Sequence, residues 1–118
     1  MLSLAEAGKP IRVVNDEKVS PTFTLDLARQ ISALLTIQHS GICHATAEGN
    51  CSWYEFASAI FELANIDANL SKADPSEFAI KVNRPKYSVL ENHFLKTQKL
   101  NVMREWKESL REYLSLRK

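Results

Sequence analysis

The clearest periodic pattern of apolar and polar positions lies between Ser52 and Ala64. Trp53, Phe56, Ala57, Ile60, Phe61 and Ala64 recur at intervals of three and four, which is one face of an α-helix. Ser52 and Glu55 stand at capping-box spacing. The serine hydroxyl can accept from the Glu55 amide while the carboxylate reaches back to the Ser52 amide. The pattern predicts a helix from Ser52 to about Asn65. No other segment combines a start signal with a sustained apolar stripe, so the packing is expected to centre here.

Weaker patterns place the remaining elements. Met1–Ala7 reads as the end of a helix, with Gly8 past its C-terminus and Pro10 beyond. Ile11–Val14 is a β-branched strand closed by the turn pair Asn15-Asp16. Pro21 holds Ser20 extended, and Thr22 or Thr24 can cap a helix over about Leu25–Gln38 that turns Leu27, Ile31, Leu34 and Leu35 inward. After Gly41, Ile42–Thr46 alternates with period two and predicts a second strand, with His44 inside it. Asp67–Pro75 is polar and irregular. Phe78–Val82 reads as extended and is broken at Asn83-Arg84-Pro85. Ser88–Lys96 is a short helical turn, and a last helix spans about Val102–Leu116 with Val102, Trp106, Leu110, Tyr113 and Leu114 on one face. Four helices and two or three short strands result. Two strands alone do not make a stable sheet, so these look like additions to something larger.

Composition narrows the function classes. The 118 residues allow one domain with a buried core, and a net charge of +1 argues against nucleic acid or an anionic membrane as the main partner. The cations between Lys81 and Lys118 are interleaved with Glu91, Glu105, Glu108 and Glu112, as on a solvated helical face. Two cysteines, Cys43 and Cys51, are too few for a disulfide scaffold and fit a reducing cytoplasm. No apolar run reaches the length of a membrane span, and the first residues lack a secretion-signal pattern.

Candidate chemistry is sparse. The three glycines, Gly8, Gly41 and Gly49, are scattered, so this chain has no dinucleotide fingerprint. His39, His44 and His93 have no partner at metal-ligand spacing, and no metal is expected. Cys51 near a helix start lacks an identifiable base, and Asp16-Glu17 points to opposite sides of an extended segment. No catalytic residue is assigned. Arg84 is different: Pro85 stiffens the backbone beside it, and a guanidinium held so suits bidentate contact with a phosphate or carboxylate. A salt bridge to a neighbouring acid is the equal alternative from the residues alone.

The order of motifs carries more than any one of them. Val13-Val14-Asn15-Asp16, Ser20-Pro21-Thr22, Asp26-Leu27-Ala28, Gly41-Ile42-Cys43-His44, Gly49…Ser52-Trp53-Tyr54-Glu55-Phe56-Ala57, Arg84-Pro85-Lys86-Tyr87-Ser88-Val89-Leu90 and Trp106-Lys107-Glu108-Ser109-Leu110 follow in register. The whole resembles the C-terminal part of the dTDP-4-dehydrorhamnose reductases, a group of extended short-chain dehydrogenase/reductases. One departure is plain: the family's turn before Ser-Pro-Thr reads Asp-Gln-x-Gly, and here Asp16-Glu17-Lys18-Val19 replaces it, without the glycine.

The resemblance implies an α/β fold, α+β-like when isolated, in which residues 1–118 form a single, mainly helical substrate-binding domain. It implies reduction of dTDP-4-dehydro-L-rhamnose to dTDP-L-rhamnose with NADPH or NADH, in nucleotide-sugar biosynthesis in the cytoplasm. The cofactor would lie on an N-terminal Rossmann domain that also carries a Tyr-x-x-x-Lys pair. Tyr54 is followed four residues on by Ser58, Tyr87 by Glu91 and Tyr113 by Arg117, so this chain contains no such pair. A fragment that binds no cofactor and is inactive alone is therefore expected, with a full-length homodimer open. Arg84 matches the family arginine ahead of proline, which tilts it toward a nucleotide diphosphate, and Ser20-Pro21-Thr22 would line the sugar side of the site. Two alternatives stand beside this: a non-catalytic relative of the regulatory subunit of methionine adenosyltransferase, and a free-standing helical adaptor.

Overall fold

The computed structural model describes residues 1–77 and 84–117. Its described elements are α1 (Leu2–Glu6), β1 (Ile11–Val14), β2 (Lys18–Val19), α2 (Thr24–Leu34), β3 (Cys51–Ser52), α3 (Trp53–Ala64), β4 (Leu70–Ala73), a 3₁₀ turn (Pro75–Glu77), α4 (His93–Thr97) and α5 (Trp106–Leu116). The mixture is α/β, with short strands. They fall into two compact units: Met1–Val19 with Cys51–Ser88, and Ser20–Asn50 with Val89–Lys118.

The first unit is organised by α3. Both halves of the capping box form: Glu55 N donates to Ser52 Oγ at 3.0 Å, and Ser52 N donates to Glu55 Oε2 at 2.6 Å. The helix ends on Asn65 in the left-handed region, and Ile66 N closes back onto Phe61 O at 3.0 Å, a Schellman-type stop. Ala57 and Phe61 bury one face of α3 against Ile11 and Val13 of β1, with Leu2, Ala5, Trp53, Tyr54, Ile60, Ile66, Ala68 and Leu70 packed around them. β1 pairs in parallel with β4, Ile11 opposite Leu70 through Val14 opposite Ala73. A two-stranded ribbon is marginal in water. The apolar face of α3 supplies the burial that stabilises it.

β4 falls in the stretch expected to be irregular. Its sequence, Leu70-Ser71-Lys72-Ala73, has no strand signature of its own, and only Ala73 is buried. Pairing to β1 makes it a strand. The extended reading of Phe78–Val82 lies outside the described residues.

The second unit departs further from its sequence pattern. α2 starts at Thr24 and stops at Leu34, short of the expected Gln38. Its buried residues are Asp26 and Gln30, 1% and 0% exposed, whereas Ile31 and Leu35 are 49% and 81% exposed. The expected inward face was therefore wrong in half its positions. The reason is tertiary: α2 meets charged and backbone polar groups of its own unit, and Gln30 Nε2 donates to Leu100 O (3.1 Å) while its Oε1 accepts from Val102 N (2.9 Å). That anchor bonds the Val102 amide outside the helix, and α5 begins at Trp106 rather than Val102.

The strand expected at Ile42–Thr46 does not form, and His44 is exposed rather than structural. Side chains take the backbone bonds a neighbouring strand would have taken. Asn92 Oδ1 accepts from Thr46 N (2.9 Å), Asn92 Nδ2 donates to Thr46 O (2.8 Å), and Thr22 Oγ1 accepts from Ala47 N (3.0 Å). Thr22 is thus committed to residue 47 and does not cap α2, whose N-cap is Phe23 with no side-chain bond.

Candidate functional site

Arg84 sits in the first unit on a segment whose position is set by β2. Lys18 N donates to Lys86 O (2.8 Å), Ser88 N donates to Lys18 O (3.0 Å), and Ser88 Oγ bonds the same carbonyl (3.3 Å). β2 is in turn paired antiparallel to β3, Lys18 opposite Ser52 and Val19 opposite Cys51. The start of α3 thereby fixes β3, β3 fixes β2, and β2 fixes residues 86–88. Two side-chain bonds lock this assembly: Ser52 Oγ with Asn15 Oδ1 at 2.6 Å, and Lys18 Nζ with Glu55 Oε2 at 2.7 Å. The Lys18 ammonium, first through that bond, and the Ser52 amide hold the Glu55 carboxyl below its ordinary pKa.

Arg84, Lys86 and Tyr87 are all exposed, Tyr87 to 64%. Among the described residues neither the Arg84 nor the Lys86 side chain has a hydrogen-bonding or ion-pairing partner, so the salt-bridge alternative for Arg84 is not realised there. A free guanidinium beside a pinned backbone can donate bidentately to a phosphate or carboxylate. Lys86, a second exposed cation beside Pro85, went unread in the sequence. Its signal was present: two cations flank Pro85, and no acid follows before Glu91.

Ser20, Pro21 and Thr22 lie in the second unit and are half-buried. Ser20 Oγ donates to Gly49 O (2.8 Å), and Thr22 Oγ1 donates to Ser20 O (3.0 Å). Both hydroxyl protons are therefore used by the loop itself. Gly49 has φ +76°, and a Cβ there would collide with the Glu105 carboxylate, so this turn requires glycine. Glu48 N donates to Arg104 O (2.9 Å) and Trp106 N to Glu48 O (3.1 Å), tying the turn to the start of α5. Burial pushes the Glu48 carboxyl up, but bonds from Lys96, Asn101 and Asn92 outweigh it and hold the pKa below the ordinary value.

Beneath the loop, α2 and α5 share a charged cluster. Asp26 Oδ2 accepts from Ser109 Oγ (2.5 Å), and its Oδ1 from Arg104 and from Arg29 Nη1 (3.1 Å). Arg29 and Arg104 also bracket Glu112, at 3.2 and 2.5 Å. Burial raises the Asp26 pKa. Hydrogen bonds from Ser109 and Arg104, then the Arg104 charge and Arg29, more than offset that and leave it lowered. The charges of the cluster pair with one another, and no buried side-chain nitrogen or oxygen among the described residues lacks a partner, so the cluster holds structure. Among the described residues no group of three or more His, Cys, Asp or Glu could hold a metal ion, and no helix is long and apolar enough to cross a membrane. Cys43 and Cys51 form no disulfide.

Known proteins agree on one assignment. The RmlD substrate binding domain matches residues 1–117. The spore coat polysaccharide biosynthesis protein SpsK of Bacillus subtilis is 41% identical over 99% of this chain. Among solved structures, a dTDP-4-dehydrorhamnose reductase of Clostridium acetobutylicum superposes over 98% of the chain with TM-score 0.91 and 41% identity. The reductase of Bacillus anthracis in complex with NADP superposes over 97% with TM-score 0.90 and 33% identity. The chain spans 41% of the length of each of these three. None of them is a regulatory subunit. By sequence over nearly its whole length and by fold, the chain belongs to the RmlD substrate-binding-domain family.

Proposed function

We propose that this chain is the substrate-binding part of a nucleotide-sugar reductase of the dTDP-4-dehydrorhamnose reductase kind. The complete enzyme would reduce dTDP-4-dehydro-L-rhamnose to dTDP-L-rhamnose in the cytoplasm. Hydride would come from NADPH or NADH held on a Rossmann half outside this sequence. Residues 1–118 act as one domain that holds the dTDP-sugar and leaves the reduction to that half.

The observation that carries the proposal is Arg84: a guanidinium without an internal partner among the described residues, on a backbone tied to Lys18 by hydrogen bonds on both sides of Tyr87. Its role is to bind and orient the diphosphate of the nucleotide. The Ser20–Thr22 loop, whose hydroxyl protons are used by its own backbone, is not needed for this reading.

The test uses the full-length protein. Arg84→Ala is expected to raise the KM for the nucleotide sugar by about tenfold to a hundredfold, the loss of one charge-assisted hydrogen-bonding group. An unchanged KM would remove Arg84 from the site. Separately, the 118-residue chain should show no binding of NADPH by fluorescence titration, and saturable binding would overturn the division of labour.

A further inference from the structure

We infer that Lys86 is a second anion-binding group beside Arg84, and that the pair selects a diphosphate over a single phosphate. This deepens the function proposed above and rests on it for the identity of the nucleotide.

Six lysines and arginines are described in the first unit: Lys9, Arg12, Lys18, Lys72, Arg84 and Lys86. Three are engaged by the chain itself. Arg12 pairs with Glu77 through both guanidinium nitrogens, Lys18 with Glu55, and Lys72 Nζ lies 5.2 Å from the centre of the Tyr54 ring. Arg84 and Lys86 have no such partner among the described residues, and they stand two positions apart with no acid between them. Two like charges so close repel each other, and a protein surface ordinarily relieves this with a nearby carboxylate. None is supplied here by a described residue. A bound anion would neutralise both.

The spacing of the two charges is constrained. Pro85 fixes its own φ and restricts Arg84 to extended backbone. The Lys86 carbonyl is anchored by the Lys18 amide at 2.8 Å. Less backbone freedom is therefore lost when a ligand binds. The chemistry matches in charge and in form. A diphosphate joining a nucleoside to a sugar carries one negative charge on each phosphorus, two in all, against two cations. The planar arginine fork suits bidentate contact, and the lysine supplies a point charge that can reach the neighbouring phosphate.

The experiment is calorimetric titration of the full-length protein with dTDP and with dTMP at matched ionic strength. Wild type is expected to prefer dTDP. Lys86→Gln should weaken dTDP binding about tenfold while moving dTMP little, and Lys86→Arg should restore the preference. Wild-type affinity for dTDP in Lys86→Gln, or equal losses for both nucleotides, would overturn the role of Lys86. Arg84→Gln judges the parent proposal separately. If it binds both nucleotides as wild type does, the assignment of Arg84 itself falls. If Arg84→Gln weakens binding and Lys86→Gln does not, the second anchor alone falls.

Discussion

Oδ1 of Asp26 accepts from both Nε (2.9 Å) and Nη2 (2.5 Å) of Arg104, a residue 78 positions further along the chain. The aspartate side chain is 2% exposed and the arginine 26%, so the pair is largely removed from water. With Ser109 on its other oxygen, Asp26 joins α2 to α5 and to the backbone leading into α5. Removing one partner of such a pair leaves the other desolvated and unanswered. Asp26→Ala is expected to cost about 3 kcal/mol of unfolding free energy. A urea titration of the purified chain measures it, and a loss below about 0.5 kcal/mol would show the pair to be dispensable.

The acid dependence of stability has a definite sign. Asp26, Glu48 and Glu55 all have folded pKa values below their ordinary 3.8, 4.5 and 4.5, so folding favours their deprotonated forms. Their contribution is complete above the unfolded values and disappears as pH falls through the lower folded ones. The melting temperature should change little between about pH 7 and about pH 5 and drop steeply toward about pH 3. Asp26→Asn should flatten part of that drop. A wild-type melting temperature that is level down to about pH 3 would contradict the lowered values.

Ser52 has three jobs at the start of α3. Its hydroxyl caps Glu55 N, it bonds Asn15, and its backbone pairs with Lys18. Ser52→Ala should cost about 1–2 kcal/mol, at the upper end for a lost N-cap because the bond to Asn15 goes with it. Glu55→Gln should cost less, since glutamine preserves the capping box. The ranking is checked by chemical denaturation of both variants, and the reverse order would mean that the Lys18–Glu55 ion pair outweighs the cap.

Gly49 and Glu105 form a steric pair. Gly49→Ala must adopt a positive φ, at a cost of about 1–2 kcal/mol, and push the flexible end of the Glu105 side chain aside. Glu105→Ala in the same chain should recover the steric part and leave the conformational part. A double-mutant cycle separates the two, and strict additivity would show that the carboxylate moves aside without cost.

The candidate site was only partly legible in the residues. Arg84 stands out because a proline follows it, a local restriction that any reader of the chain can see. That Lys86 O and Ser88 N are both held by Lys18 could not be read, since those bonds join positions some seventy residues apart. Nor could the bond from Ser20 Oγ to the Gly49 carbonyl be read, since it too joins positions far apart in sequence.

What the chain determined by itself was whatever depends on neighbours within one turn. α3 is the clear case: Ser52 and Glu55 set its beginning, an apolar face at spacings of three and four sets its burial, and Asn65 sets its end. β1 and the Gly8 stop after α1 belong to the same class. The tertiary structure decided the elements whose partners are distant in sequence. Leu70–Ala73 became a strand only because β1 offered a parallel ladder, whereas at Ile42–Thr46 no strand formed and Asn92 took both backbone bonds of Thr46. α2 turned Asp26 and Gln30 inward because Arg104 and the backbone of residues 100–102 awaited them. Local rules sum over a few kcal/mol of propensity and capping, and one buried, fully answered carboxylate is enough to outvote them.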